Sequence, residues 1–158
     1  MGALPLLKTL HILSAMLFLG AGLMTAWYKL RVDTTNDVRV IVWYQREMVR
    51  ADWIFTTPSA VLLPASGIAM AAITHLPLTT PWLLWIYACF VVEGALWLPA
   101  VWIQIRMRAL AERALEREAP LDPEFQRLGR VWRALGYPAF AIALFMLWMM
   151  VSRWYPGR

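Results

Sequence analysis

Four stretches of apolar residues divide the chain, and each is long enough to cross a bilayer as a helix. They cover about residues 4–27, 52–74, 82–105 and 134–150. A spanning helix needs roughly 20 predominantly apolar residues, each adding about 1.5 Å of rise. The pattern therefore predicts an all-α membrane protein, a four-helix transmembrane bundle that forms a single domain over residues 1–158.

The first stretch has to be compared with a cleaved signal peptide. Such a peptide has an apolar region of about 7–15 residues after a basic start. Here the apolar run is longer, and Met1 to Pro5 include no basic residue. We expect this segment to stay as a membrane span.

Prolines shape the second stretch and the connection that follows it. Pro58, Pro64 and Gly67 lie within the stretch, and a membrane bundle tolerates such residues when neighbours satisfy the freed backbone groups. A kinked helix is predicted. The connection at 75–81 is short and contains two prolines, so spans two and three should form an antiparallel hairpin.

Polar segments flank the inner spans, and both show helical signals. Thr35 or Asn36 can cap the start of a helix. The apolar residues that follow fall near one helical face: Val38, Ile41, Val42, Met48 and Val49. This pattern predicts an interfacial amphipathic helix between spans one and two. Residues 107–118 predict a helical extension of span three. Pro120 and Pro123 should end that extension.

Basic residues are concentrated in two of the three connections. Residues 28–50 and 106–133 contain twelve lysines and arginines, namely Lys29, Arg31, Arg39, Arg46, Arg50, Arg106, Arg108, Arg113, Arg117, Arg127, Arg130 and Arg133, whereas 75–81 contains none. Short cytoplasmic loops carry such an excess. Both termini should therefore lie outside, although Arg153 and Arg158 would then lie on the outer side.

Composition narrows the class of protein further. The chain is 61% hydrophobic and 16% charged, with a mean hydropathy of +0.55; soluble domains are about 45–50% apolar and 25% charged. This excludes a disordered chain, a coiled coil and a soluble nucleic-acid module. The single cysteine, Cys89, excludes an internal disulfide and a multi-cysteine metal site. No catalytic motif stands out, and the lipid bilayer is the first expected partner.

Three ionisable residues lie inside the predicted spans, where such groups are costly and usually functional or paired. His11 lies about 10 Å and Glu93 about 16 Å below the outer boundary. One stripe of span one carries Lys8, His11, Ala15, Phe18 and Gly22, and one stripe of span three carries Glu93, Trp97, Ala100 and Gln104. We expect these stripes to face each other, with Lys8, Glu93 and Gln104 as buried polar groups.

Facing stripes would allow His11 to hydrogen-bond to Glu93, or each to hold part of a buried ligand. Lys8 could reach toward Glu93 or extend to water. The alternative is structural: His11 as an interhelical hydrogen-bonding group, and Glu93 as a neutral, protonated side chain.

Three segments carry a resemblance to known families. Residues 7–15 (LKTLHILSA), 52–59 (DWIFTTPS) and 96–108 (LWLPAVWIQIRMR) resemble a bacterial family of predicted integral membrane proteins with a domain of unknown function, which implies the bacterial inner membrane. A more distant likeness is to the four-helix membrane protoporphyrinogen IX oxidases and the membrane domain of the copper-resistance D proteins. Both place a histidine early in span one, and only His11 carries over.

Three functions stay open at this point. The resemblance implies a haem-linked or redox role, with haem b held by His11. In this chain His75, Met146 or Met149 would be the candidate second ligand. The aromatic anchors and short loops would also suit a non-catalytic accessory subunit, which would bind other membrane proteins or further copies of itself. The third function is proton relay or transport that uses His11 and Glu93.

The distribution of basic residues gives a testable topology. A reporter fused after Thr79 should lie outside, and one fused after Glu118 should lie in the cytoplasm, because the connections around them differ in basic residues. Reporter activity in cells measures both positions. A cytoplasmic signal from the Thr79 fusion would mean that the topology is inverted.

Overall fold

The computed structural model describes residues 2–157, which form helices and no strand. The helices are α1 (Ala3–Val32), α2 (Val38–Ala51), a π-helix (Asp52–Thr56), α3 (Thr57–Ile73), α4 (Pro81–Glu116) and α5 (Pro123–Ser152). Because α2, the π-helix and α3 follow each other without a break, the described part contains four helices that are long and apolar enough to cross a membrane. The predicted four-helix fold is confirmed.

The apolar cluster shared by four helices lies at one end of the bundle. We call the end that carries connections 33–37 and 117–122 the basic end, and the end that carries 74–80 the hairpin end. At the basic end, α1, α2, α4 and α5 bury a shared apolar cluster: Val32, Ile41, Val42, Tyr44, Met48, Ile103, Met107, Leu110, Ala111, Phe125 and Trp132. The hydroxyl of Tyr44 donates to the carbonyl oxygen of Thr25 and ties α2 to α1.

Away from this core the helices separate into two pairs. In one, α3 packs on α1, and in the other, α5 packs on α4. No Cα atom of α1 or α3 lies within 8 Å of a Cα atom of α4. Spans two and three, although joined by the short connection 74–80, therefore do not pack together as the expected hairpin. The bundle is therefore closed at the basic end and divided toward the hairpin end.

Helix α2 forms where its apolar periodicity predicts it, and its start differs by one or two residues. Asp37 is the cap, since its side chain accepts a hydrogen bond from the backbone N–H of Arg39 at 2.8 Å. The expectation of a cap at Thr35 or Asn36 is wrong. Thr35 instead donates to the carbonyl oxygen of Val32 at the end of α1, and Asn36 adopts a positive φ, which asparagine tolerates better than most residues.

The second span keeps its helix through both prolines. Its departure from regular α geometry is the π-helix at Asp52–Thr56, where the backbone N–H of Thr57 bonds to the carbonyl oxygen of Asp52. The wide turn comes directly before Pro58, which has no N–H to donate to the carbonyl four residues earlier. The irregularity thus lies before the prolines, and π-turns of this kind are frequent at functional sites.

Helix α5 begins eleven residues before the predicted span 134–150. Asp122 caps it by accepting from the N–H of Glu124 at 2.7 Å, and Pro123 occupies the first turn, where its missing N–H has no cost. Its first turns are polar outside, but Phe125 and Trp132 are buried in the core. Hydropathy alone does not detect this section because only one face of it is apolar.

Ion pairs fasten the basic end. The Nζ atom of Lys29, which is 0% exposed, lies 2.8 Å from Asp33 Oδ1 and 5.2 Å from the centre of the Phe125 ring. Arg133 of α5 reaches the same Asp33 carboxylate at 3.5 Å. Further pairs join α2 to α4 (Arg46–Glu112, 2.7 Å) and α4 to α5 (Arg106–Glu124, 2.9 Å).

The buried ammonium group predicts an asymmetry between two substitutions. Asp33→Asn leaves Lys29 charged, buried and without its countercharge, and should cost about 3–5 kcal/mol. Lys29→Met removes that charge and leaves Asp33 beside Arg133, so its cost should be clearly smaller. Thermal unfolding in detergent measures both.

Arg50→Met provides the control, because Arg50 and Glu47 form an exposed pair whose loss should cost about 1 kcal/mol at most. An Asp33→Asn protein no less stable than the Lys29→Met protein would contradict the role given to this pair.

Candidate functional site

The predicted stripe of α4 lines a cavity inside the bundle. Glu93, Trp97, Ala100 and Gln104 all contribute to its wall, as their spacing on one helical face requires. Glu93 and Gln104 are each 6% exposed. Glu93 Oε2 and Gln104 Oε1 have no hydrogen-bond partner among the described residues.

Asp52, at the start of the π-helix, adds a second carboxyl group to this wall. Its Oδ1 atom accepts from the hydroxyl of Thr56 at 2.9 Å, while its buried Oδ2 atom has no partner in the described structure. The side-chain amide of Gln104 lies beside this carboxyl group but does not meet the geometry of a hydrogen bond to Oδ2. Sequence reasoning missed Asp52 because it lies at the predicted start of a span, where a carboxylate at the interface is ordinary.

The cavity has a volume of about 310 Å³ and is bounded by α1, α4, α5 and the π-helix. Its lining is apolar apart from a few polar groups. On α4 it extends from Glu93 to Gln104, which at 1.5 Å per residue is about 16 Å along the helix. The cavity is therefore a narrow slot parallel to the helices, with Glu93 at one end and Asp52 with Gln104 at the other.

One long side of the slot opens to the outer surface between α1 and α5. Trp27 and Leu30 of α1 and Tyr137 of α5 line the slot, yet all three are exposed. In a bilayer these side chains would contact lipid. A molecule dissolved in the membrane could therefore reach the slot without passing through water.

A second cavity, of about 250 Å³, lies between the start of span two and α4. Asp52, Trp97 and Gln104 line both cavities. These three residues therefore form the wall that separates the two spaces. The polar pair at the basic end of the slot lies in this wall.

His11 lies elsewhere, against α3. Its Nδ1 atom is 3.1 Å from the carbonyl oxygen of Leu63 and 2.9 Å from Ser66 Oγ. Ser66 is 2.5 Å from the carbonyl oxygen of Leu62, to which its hydroxyl donates. Nδ1 is then the donor to both neighbours, and Nε2 carries the free lone pair.

The expectation that His11 and Glu93 face each other is therefore wrong. Spacing correctly places His11 on one face of α1 with Phe18 and Gly22, but α1 meets α3 at the level of His11 and the slot at the level of Phe18. No Cα atom of α1 lies within 8 Å of one of α4, so the two predicted stripes meet only across the slot, which Phe18 and Gly22 line from α1 and Glu93 lines from α4.

The expectation for Lys8 also requires correction. Lys8 is exposed, and the ion pairs of residues 2–157 do not include one between Lys8 and Glu93. Lys8 lies in the second turn of α1, where its long side chain can extend along the surface toward water.

His11 fits one requirement of a haem ligand and not the others. A ligating histidine usually donates its second ring N–H to a carbonyl or similar acceptor, as Nδ1 does here. However, His11 lines neither cavity, and its Cε1 atom lies 3.5 Å from where a Cβ atom on Gly67 would stand. His75 is exposed. Neither Met146 nor Met149 lines either cavity. As placed, these residues do not fit a haem.

Comparison with known proteins identifies the family. Residues 5–154 match the family described as "Predicted integral membrane protein (DUF2269)", and because the match covers nearly the whole chain, the chain belongs to this family. No curated protein matches the chain. No solved structure matches it either.

The unpartnered carboxyl group of Glu93 predicts an unusual stability effect. Glu93→Met should raise the stability of the ligand-free protein by about 1–3 kcal/mol, because it replaces an unsatisfied buried polar group by an apolar one of similar size. Thermal unfolding in detergent measures the change.

Glu112→Met is the matched control on the same helix. Its carboxylate accepts from Arg46 and Arg108, so this substitution should lower stability slightly. A loss of stability in Glu93→Met would show that Glu93 has a structural partner.

Proposed function

We propose that this protein binds a small lipid-soluble molecule in the slot between α1, α4 and α5, and exchanges it with the surrounding lipid. One observation carries the proposal. Three buried oxygen atoms without partners, on Asp52, Glu93 and Gln104, lie in the wall of one cavity that is otherwise apolar.

The chemistry of this wall is typical of a binding site. Small-molecule sites are cavities of about 300–1,000 Å³, mostly apolar, with a few polar groups that orient the ligand. Buried polar groups with a purely structural role are nearly always hydrogen-bonded, and each unsatisfied group costs about 1–3 kcal/mol. A ligand that donates hydrogen bonds would remove this cost when it binds.

The route of entry supports a ligand that comes from the membrane. The slot opens between Trp27, Leu30 and Tyr137, which lie on the outer surface of the bundle. We place the basic end at the cytoplasmic face of a bacterial inner membrane, since its connections carry the basic residues. The slot then opens to the leaflet nearer the cytoplasm.

The other roles considered from the sequence have separate tests. A haem-linked role through His11 predicts strong absorbance in the Soret region for the purified protein, and an accessory subunit predicts co-purifying membrane proteins. A relay that uses His11 and Glu93 together has less support, because these residues contact different helices and spaces. Ligand binding in the slot predicts neither haem absorbance nor a stable partner.

Two glycines on α1 allow a direct test. Gly22 lines the slot and Gly20 does not, and a Cβ atom added at either would meet no atom within 4 Å. Gly22→Leu should fill the slot and remove most of the binding of a lipid-soluble probe, whereas Gly20→Leu should keep it.

The probe is N-phenyl-1-naphthylamine, and the signal is saturable energy transfer from tryptophan in the purified protein. Trp97 and Trp132 lie in the slot wall, so bound probe would be close to a donor. Both variants share the same detergent background, which removes the contribution of micelles. Equal binding by the two variants, or no saturable signal in the unaltered protein, would refute the proposal.

A further inference from the structure

The unpartnered groups of the slot are all hydrogen-bond acceptors. Asp52 Oδ2, Glu93 Oε2 and Gln104 Oε1 are the buried slot atoms without partners, and no nitrogen atom of the slot wall is among them. The one cationic side chain of the wall, Arg133, already contacts Asp33 at 3.5 Å. A ligand must therefore supply donors or positive charge.

Glu93 lies far from this arginine. The Cβ position of Gly129 is 3.5 Å from Met107 Cε, which places these residues of the antiparallel helices α4 and α5 at about the same level. Fourteen residues separate Met107 from Glu93, and fourteen separate Gly129 from Ala143, so Ala143 is level with Glu93. Arg133 is ten residues nearer the basic end than Ala143, a distance of about 15 Å.

Aromatic rings surround the Glu93 end of the slot. Trp97 follows Glu93 by one turn on the same face of α4, and Phe140 lies about one turn below Ala143 on α5. Phe18 lines the slot from α1. Aromatic faces attract cations, most strongly where both are removed from water, and a carboxylate in such a place favours a bound positive charge.

Building on the proposed function, we infer that the ligand is a lipid-soluble monovalent cation of the ammonium class. Its charged group lies beside the Glu93 carboxylate and against the rings of Trp97 and Phe140, and its apolar part extends along the slot as far as Ala100, short of Asp52 and Gln104. A single carboxylate with no competing cation nearby matches one positive charge.

The test compares two amphiphiles that share a chain and differ in the charge of the head group. Decyltrimethylammonium and the neutral decyldimethylphosphine oxide, both below their micelle concentrations, compete with bound N-phenyl-1-naphthylamine. In the unaltered protein the ammonium compound should displace the probe at a concentration about tenfold lower than the neutral compound.

Three variants locate the charge preference. Glu93→Gln should bring the two displacing concentrations together while probe binding persists, which also shows that this protein is folded. Asp52→Asn, about 16 Å away along the slot, should keep most of the preference. Glu116→Gln, at the exposed end of α4, should leave it unchanged.

The outcomes separate this inference from the proposed function. Saturable probe binding with equal displacement by both amphiphiles overturns the cation inference and leaves the binding function in place. A preference that disappears in Asp52→Asn and not in Glu93→Gln overturns the placement at Glu93. Absence of saturable probe binding contradicts both.

Discussion

The contact of Lys29 and Arg133 with the Asp33 carboxylate joins α1 to α5 where the rest of the bundle converges. A buried ammonium group is tolerated only with a close countercharge, and Lys29 has one at 2.8 Å. Together with the apolar cluster around Met107, this contact closes the basic end. Since no comparable contact joins the two helix pairs further along, α1 with α3 and α4 with α5 diverge, and the slot lies where the divergence begins.

The helices themselves were predictable because bilayer thickness sets their minimum length and hydropathy reveals their positions. The polar stripe of α4 was predictable for a similar reason, since residues 93, 97, 100 and 104 share one face of any regular helix. Both inferences depend on properties of a single helix.

Properties that depend on two helices were harder to predict. Spacing places His11 on a face of α1, but not which neighbour that face meets, and the neighbour is α3. Asp52 looked like an ordinary residue at the start of a span, and only the approach of α4 makes it part of a buried wall. The start of α5 was missed because its apolar face is recognisable only once the core around Phe125 exists.

The slot differs from a simple packing defect in the kind of atoms that it leaves unsatisfied. A defect between membrane helices would expose apolar side chains, and lipid chains could fill it at little cost because they are as apolar as the wall. Here an acyl chain would lie against carboxyl and amide oxygens that have no hydrogen-bond donor. It would not reduce the free-energy cost of burying these oxygens unsatisfied. Replacement of these residues by apolar ones would remove that cost, so an unpartnered buried group such as Glu93 fits the proposed ligand, which brings a positive charge or a donor, better than it fits packing alone.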